Sequence, residues 1–260
     1  MGDGRVVISY VHSNDVAINF HHSIFQLWGH LLQQNSPVLA GWLPMRYGTG
    51  GLVEARNKTA ALFLETEHEW LWTLDTDMGF TPDTLDRLLE AADPVERPVV
   101  GALCFINSET GGDGMGGVTA QPKPSVFFWG TSPDGPNGEK GGTGFMPMIK
   151  YPADEIVTCS GTGAACVLIH RSVFERLRAR NIERGMGEFN FYGNIANPEG
   201  GMAFSEDFSF CIRCVEVGVP IHVHTGIKTS HMKTVFLQED HHKQFLAAAA
   251  WEQHAKDTAA

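Results

Sequence analysis

Strand-like and helix-like segments alternate along the first hundred residues of this chain, and this alternation restricts its fold more than any other feature. Residues 6–11 are a short β-rich run, and a polar loop separates them from a helical stretch whose periodic apolar residues are Ile18, Phe25 and Leu32. Further strands are predicted over residues 37–42, 70–74 and 98–104, with helices over 53–69 and from Thr81-Pro82 onward. Strands that alternate with helices predict an α/β fold, with a mostly parallel central sheet flanked by helices.

The second half of the chain resumes this pattern after an irregular insert. Residues 107–150 are rich in glycine and proline and predict a long loop, which in a compact domain is usually functional or mobile. Strands follow over 164–169 and 220–225, short helices over 172–180 and 205–216, and a helical tail over about 235–260. We expect one domain over residues 1–260.

Helical spacing also predicts which residues face the core. In the second helix they are Val53, Ala60, Ala61 and Leu64. In the helix over 205–216 they are Phe208, Cys211, Ile212 and Val215. Thr81 is predicted as an N-cap and Pro82 as a first-turn residue, because these residue types suit those positions.

Composition excludes several classes of protein. No apolar run approaches the roughly 18–20 residues that a bilayer-spanning helix needs, so we expect no membrane partner and a soluble protein of the cytoplasm, which for a viral protein is the host cytoplasm. Five cysteines do not form a disulfide framework, and Cys211 and Cys214 are predicted to pack in the core. The net charge of −11 disfavours a surface that neutralises many nucleic-acid phosphates.

Acidic residues follow the strand predicted at 70–74. In an α/β sheet the ligand site lies at the carboxyl ends of the strands, which is where Asp75-Thr76-Asp77 emerges. Carboxylate oxygens at such an edge can hold Mg²⁺ or Mn²⁺ against a diphosphate. The same residues also fit an exposed acidic turn that caps the next helix, and the short motif does not decide between the two.

A second acidic pair opens the helix predicted at 205–216. Ser205 can cap free backbone N–H groups, and Glu206 and Asp207 suit the positive end of the helix dipole, which is a sufficient structural explanation. The functional interpretation makes Asp207 a general base for an acceptor hydroxyl, with Glu206 orienting it or binding the acceptor. Sequence position leaves both open.

Three further features are candidates for a binding site. His231 follows the last predicted strand, and its imidazole suits metals of the Mn²⁺ class, although a lone histidine is more often a surface or core residue. Gly161, Thr162 and Gly163 could let the backbone approach a sugar or acceptor closely. Arg56 could contact a phosphate or nucleobase, or be an ordinary solvated residue.

Taken in order, four sequence strings resemble the glycosyltransferase A fold, and in particular small single-domain, family-2-like enzymes of bacteriophages. The strings are Glu54-Ala-Arg-Asn, Trp72-Thr-Leu-Asp-Thr-Asp-Met-Gly-Phe-Thr-Pro, Gly161-Thr-Gly-Ala-Ala-Cys-Val-Leu-Ile-His-Arg-Ser-Val-Phe and Ser205-Glu-Asp-Phe-Ser-Phe-Cys-Ile-Arg. The resemblance spans about residues 6–231. It implies a nucleotide-sugar-binding α/β domain.

The resemblance also implies roles for individual residues. Asp77 and His231 would hold the metal, with Asp75 as a further metal or ribose partner and Thr76 beside the donor. Val11, His12 and Ser13 would hold the nucleobase close to Arg56. Gly161, Thr162 and Gly163 would line the sugar and acceptor pocket, and Asp207 would lie beneath the anomeric carbon.

The function implied is transfer of a sugar from a nucleotide sugar, with a UDP-sugar favoured, to an acceptor hydroxyl in the presence of Mn²⁺ or Mg²⁺. The acceptor is open among a viral protein, a glycan and a hydroxymethylated DNA base. A nucleotidyltransferase and a non-catalytic sugar- or metal-binding module are the alternatives. No Gln-x-x-Arg-Trp follows the acidic pair, which argues against a processive polysaccharide synthase, and the insert over 107–150 matches no pattern of the family and is interpreted as a mobile lid.

Overall fold

The computed structural model of the protein describes residues 5–107, 122–132, 141–198, 200, 202–233, 239, 243 and 246–247. The helices with defined bounds in this part of the chain are α1 (Ile18–Gln33), α2 (Gly51–Leu64), α3 (Thr84–Ala91), α4 (Arg171–Glu183) and α5 (Glu206–Glu216). The strands are β1 (Val6–His12), β2 (Leu39–Arg46), β3 (Trp70–Asp75), β4 (Met78–Gly79), β5 (Val99–Leu103), β6 (Phe105–Asn107), β7 (Pro122–Pro124), β8 (Phe127–Thr131), β9 (Thr143–Pro147), β10 (Ile156–Cys159), β11 (Cys166–His170), β12 (Ile221–Lys228) and β13 (Ser230–His231).

Seven strands form the central sheet, in the order β10-β12-β5-β11-β3-β1-β2. The pairs β1/β2, β1/β3 and β5/β12 are parallel, whereas β11 runs antiparallel to both β3 and β5, and β10 runs antiparallel to β12. Five strands therefore point the same way, and their carboxyl ends meet at one edge. The predicted α/β architecture with a mostly parallel sheet is confirmed.

Helices cover both faces of this sheet because its central strands are apolar on both sides. On one face, α1 and α3 pack against the sheet through buried side chains such as Leu27 and Leu88. On the other, α2, α4 and α5 contribute Phe63, Phe174 and Phe210 to a second core. Cys211 and Cys214 are free thiols buried in that second core, as predicted.

The predicted inner faces of three helices differ from the structure, although Ala60 of α2 and Cys211 of α5 are buried as predicted. Ile18, Phe25 and Leu32 of α1 are 77%, 65% and 74% exposed, and the buried residues are instead Phe20, Ser23, Leu27 and Leu31. Both sets have helical spacing, so periodicity alone could not choose between the two sides of the helix. In α5 the buried set is Ser209, Phe210, Cys211, Arg213 and Cys214, while Val215 is exposed. In α2 it is Ala55, Arg56, Thr59, Ala60 and Phe63.

Two predicted helix boundaries also differ from the structure. The α3 helix begins at Thr84 rather than at Thr81-Pro82, because Thr84 N–H donates to the Thr81 carbonyl in a turn that precedes the helix. The α2 helix ends at Leu64, five residues before the predicted end at Glu69. The Leu62 and Phe63 carbonyls there accept hydrogen bonds from Glu65 and Thr66 N–H, which close a tight turn.

The chain divides into two compact units. One comprises Met1–Ile106 and Pro124–Met232, and the other Asn107–Lys123 and Lys233–Ala260. Much of the predicted insert and tail, residues 108–121, 133–140 and most of 234–260, lies outside the described residues. The described part of the insert is not irregular throughout, since β8 and β9 pair there antiparallel. In the described part of the chain, no helix is long and apolar enough to cross a bilayer.

Candidate functional site

The carboxyl edge of the central sheet brings the first two predicted segments together. Val11 of β1 pairs in register with Asp75 of β3, so the loop after β1 begins beside the acidic segment. The Val11 side chain is buried, while His12 and Ser13 are half-buried at this edge. His12 Nδ1 lies 2.6 Å from the Ser13 carbonyl oxygen. Val11, His12 and Ser13 therefore lie at the edge where a ligand is expected.

A buried arginine joins the two acidic pairs that lie far apart in the sequence. Arg56 Nη2 donates to Asp75 Oδ1 at 2.9 Å and lies 3.7 Å from Asp207 Oδ1, and its Nε lies 3.7 Å from Glu206 Oε1. The Arg56 side chain is only 4% exposed. Burial opposes its charge, but the carboxylates of Asp75, Asp207 and Glu206 raise the pKa of Arg56 above its ordinary value. Three carboxylates thus face one guanidinium.

Asn57, which follows Arg56 in α2, holds the backbone segment that packs beside this cluster. Asn57 Oδ1 accepts hydrogen bonds from the N–H groups of Phe191 and Tyr192, both at 2.9 Å. The guanidinium carbon of Arg56 lies 5.9 Å from the centre of the Tyr192 ring, within the range of a cation–π contact. Arg56 is therefore enclosed by protein, which corrects the idea of an ordinary solvated residue.

Asp207 has the protonation behaviour of a candidate base. Ser205 is the N-cap of α5, and its Oγ accepts from Phe208 N–H, so the predicted capping is confirmed and Asp207 is fixed in the first turn. Desolvation raises the pKa of Asp207 to about 7, with Glu206 and Asp75 adding to the rise and Arg56 and the Ala164 N–H opposing it. Asp207 Oδ1 is buried without a hydrogen-bond partner. A carboxyl with a pKa near neutrality can exchange a proton at physiological pH.

The segment Gly161, Thr162 and Gly163 lies against Asp207. A Cβ on Gly163 would lie 3.6 Å from Asp207 Oδ2 and 3.1 Å from Ser125 Oγ, and one on Gly161 would lie 2.7 Å from the Phe145 ring. Any side chain at position 161 would therefore require the Phe145 ring to shift. The Thr162 side chain is buried and donates to the Ser125 carbonyl at 2.7 Å, so it supports the segment from inside.

Asp77 and His231, which are 154 residues apart in the sequence, are in contact. His231 Nε2 lies 3.0 Å from Asp77 Oδ2, and His231 Nδ1 lies 2.7 Å from the Phe105 carbonyl oxygen. Because a carbonyl can only accept, the second contact requires the ring proton on Nδ1. A neutral ring then directs its Nε2 lone pair at a carboxylate oxygen. This contact is favourable only when Nε2 is also protonated or when a cation binds both atoms.

Short strands and α1 position this pair. Strands β4 and β13 are antiparallel, with His231 opposite Met78, and Met232 N–H donates to the Asp77 carbonyl at 2.8 Å. Asn19 Nδ2 also donates to the Asp77 carbonyl, at 3.3 Å, and Ala17 N–H donates to the Thr76 carbonyl at 2.9 Å. Thr76 is thereby fixed through its backbone.

The Asp77–His231 pair fits a divalent cation. Ligand atoms at about 2.1 Å from a hexacoordinate ion are about 3.0 Å apart on adjacent positions, which is the separation observed here. Among the described residues no group of three or more His, Cys, Asp or Glu side chains could hold a metal, so other ligands would come from a bound diphosphate or water, as is usual for Mg²⁺. The carboxylate of Asp75, which was also predicted as a metal partner, accepts a hydrogen bond from Arg56.

Sequence reasoning missed several residues that build this site. Phe105 contributes only its carbonyl, Ser125 supports Gly163 through its hydroxyl, and Tyr192 encloses Arg56. Each acts through the backbone or at a long sequence separation, which motif spacing cannot reveal. The burial of Arg56 has no local sequence signal either, because it depends on which side of α2 packs against the sheet.

No protein-family model matches this sequence, and a comparison with curated protein sequences finds no match. In structure the chain is similar to A197 from STIV, with 13% identity, a TM-score of 0.47 and coverage of 88% of this chain and 86% of that one. It is also similar to GalNAc-T7, crystallised with UDP, GalNAc and Mn²⁺, with 12% identity and a TM-score of 0.49. That match covers 88% of this chain and 44% of the GalNAc-T7 chain. Neither likeness bears on the activity of this chain.

Proposed function

We propose that the protein is a metal-dependent glycosyltransferase that moves a sugar from a nucleotide sugar, a UDP-sugar by preference, to an acceptor hydroxyl. The observation that carries the proposal is the 3.0 Å contact between Asp77 and His231, with the ring fixed by the Phe105 carbonyl, at the ligand-binding edge of the sheet. A carboxylate and an imidazole nitrogen together suit Mn²⁺ or Mg²⁺.

The charge of the site supports a cation as well. Arg56 is already in contact with the carboxylates of Asp75, Asp207 and Glu206. A diphosphate brought to this edge would meet an excess of negative charge unless a divalent ion accompanied it. Bound at Asp77 and His231, Mn²⁺ or Mg²⁺ would neutralise the leaving diphosphate.

The residues of the chain then have separate tasks. The backbone of Val11 with His12 and Ser13 would hold the nucleobase, and Asp75 and Thr76 would position the ribose. The backbone of Gly161 and Gly163 would line the sugar and acceptor pocket beside Asp207, with Thr162 holding that segment in place. These positions are proposals that rest on the shared edge of the sheet and on the glycine contacts.

In the proposed chemical step, Asp207 would lie beside the acceptor hydroxyl. Its carboxylate would accept the hydroxyl proton while the acceptor oxygen bonds to the anomeric carbon, and the bond from that carbon to the diphosphate oxygen would break with its electron pair leaving on the nucleotide. Glu206 would orient the acceptor. This is single displacement, so the product would have inverted anomeric configuration.

A panel of nucleotide sugars incubated with Mn²⁺ and scored for release of the nucleoside diphosphate tests the function. We expect release from at least one UDP-sugar, its loss on removal of the metal, and its loss in Asp77→Asn. Glu175→Gln, at an exposed carboxylate of α4, is the matched control and should be fully active. Binding without any release would indicate a binding module, and pyrophosphate release from a nucleoside triphosphate would indicate a nucleotidyltransferase.

A further inference from the structure

An apolar cavity of about 360 Å³ lies beside α5 and the β8–β9 pair. Its lining residues are Trp129, Phe145, Ser160, Ile195, Pro198, Phe204, Ile212, Val215 and Glu216. Ile212 and Val215 of α5 were predicted to face the core because of their helical spacing. They line this cavity instead. A volume of this size accommodates a small organic group.

Three aromatic rings give the cavity its shape. The Trp129 and Phe145 rings are 5.2 Å apart at 85°, and the Phe145 and Phe204 rings are 6.0 Å apart at 89°. Trp129 lies 5.9 Å from Phe204 at 54°. Rings inclined to one another in this way offer both faces and edges, so a further planar ring can make edge-to-face contact with one and stacking contact with another.

The side-chain oxygens of Ser160 and Glu216 in the lining are already engaged. Ser160 Oγ accepts a hydrogen bond from the backbone N–H of Trp129 at 3.0 Å, and the Glu216 carboxylate pairs with Arg180 and, at 3.4 Å, with Arg184. A ligand rich in hydroxyl groups would lose its bonds to water here with little in return. The chemistry of the lining therefore selects an apolar, planar group.

One wall of the cavity also contacts the segments that carry the proposed catalytic residues. Phe145 lines it and stacks on Phe208, with ring centres 4.2 Å apart at 9°, and Phe208 is the residue after Asp207. Ser160, on the lining, directly precedes Gly161. A Cβ at Gly161 would lie 2.7 Å from the Phe145 ring, so the cavity and the glycine segment beside Asp207 share this ring as a boundary.

We propose that this cavity binds an aryl group of the acceptor, so that the acceptor of the proposed transfer is an alcohol that carries one or two aromatic rings. This inference rests on the proposed function, because only a transferase has an acceptor. The cavity's preference for an aryl group can be tested without any nucleotide sugar.

The probe is 2-naphthalenemethanol, titrated by calorimetry and by saturation-transfer NMR, with its fully saturated decalin counterpart as the comparison. The variants are Trp129→Ala and Phe204→Ala, with Phe128→Ala as the matched control because Phe128 is exposed on the neighbouring position of β8 but does not line the cavity. The backbone bonds of Trp129 and Phe204 remain in these variants, so the fold should persist.

We expect the naphthyl probe to bind the wild type and Phe128→Ala equally and to bind both cavity variants at least about tenfold more weakly. Equal binding by all four proteins, or tighter binding of the saturated alcohol, would overturn the proposal. With a nucleotide sugar that the protein cleaves, the wild type should also form a naphthylmethyl glycoside. Release of nucleoside diphosphate without that product would overturn the acceptor role alone. If no donor is cleaved although the probe binds as expected, the aryl site stands and the proposed transfer is overturned.

Discussion

Arg56 donates a hydrogen bond to Asp75 at 2.9 Å and, being almost fully buried, is the common partner of the carboxylates at the ends of β3 and α5. One side chain of α2 therefore joins Asp75 to Glu206 and Asp207, which lie far from it in the sequence. Removing a buried ionic partner leaves the remaining charges uncompensated, which is more costly than the pair is stabilising.

The first prediction concerns this arginine. Arg56→Ala should lower the free energy of unfolding by about 3 kcal/mol at neutral pH, because the Asp75 and Glu206 carboxylates would lose their buried cation. Urea unfolding measures the change.

The control for Arg56 is on the same helix. Lys58 pairs only with Glu54 at the surface, so Lys58→Ala should change stability by less than about 0.5 kcal/mol. A loss in Arg56→Ala no larger than that of the lysine variant would mean that the carboxylates do not depend on the guanidinium.

The second prediction concerns the pH dependence of transfer. A base with a pKa of about 7 is active only when deprotonated, so the rate should rise with pH and level off above about 7. Asp207→Asn should bind the nucleotide sugar normally and lose 10²–10⁴-fold in rate, a rough range for general-base removal. A product with retained configuration, or near-normal turnover of Asp207→Asn, would assign Asp207 a structural role.

The same pKa has a consequence for stability. Folding raises the pKa of Asp207 from 3.8 to about 7. Between pH 4 and 7 the folded state therefore binds more protons than the unfolded state. The contribution of Asp207 to stability therefore falls as pH rises through this window. At pH 8, the free energy of unfolding of Asp207→Asn, measured by urea, should exceed that of the wild type by on the order of 1 kcal/mol. The difference in this free energy should shrink at pH 4. An Asn variant less stable than the wild type at both pH values would contradict the raised pKa.

The third prediction concerns Gly79, which pairs with Ser230 in the short β4–β13 sheet next to the proposed metal ligands Asp77 and His231. A Cβ at position 79 would lie 2.4 Å from Ser230 Oγ and 3.2 Å from Asn19 Nδ2. Gly79→Ala should therefore displace β13 and weaken Mn²⁺ binding about tenfold, as disturbed support of a ligand does. Gly41→Ala, where an added Cβ meets nothing within 4 Å, should bind Mn²⁺ normally.

A double variant checks the cause of that loss. Ser230→Ala removes the closest atom, so it should restore part of the Mn²⁺ affinity lost in Gly79→Ala. If the double variant binds no better than the single one, the contact with Ser230 is not the reason for the loss.

The sequence predicted the order of the main strands and helices because apolar periodicity and turn residues are local properties. It did not predict which side of α1 is buried, since Ile18, Phe25 and Leu32 have the same spacing as the true inner residues. The choice depends on how the helix rotates against the sheet, and that is a tertiary property.

The candidate site divides in the same way. Asp75, Asp77 and Asp207 could be selected because they follow a strand or open a helix. The burial of Arg56 and the Phe105 carbonyl that fixes His231 could not, because each depends on the packing of segments distant in sequence. The aromatic cavity arises from the antiparallel pairing of β8 with β9, inside a stretch whose composition predicts a loop.

The account depends most on the assignment of Asp77 and His231 as ligands of a divalent cation beside the diphosphate, and Mn²⁺ titration followed by electron paramagnetic resonance tests it most directly. Free Mn²⁺ gives a six-line spectrum that is lost on binding. In the presence of UDP, the wild type should remove one Mn²⁺ per chain from the free pool, whereas Asp77→Ala and His231→Ala should each leave it free at the same protein concentration. Undiminished Mn²⁺ binding in both variants would contradict the metal site and the mechanism built on it.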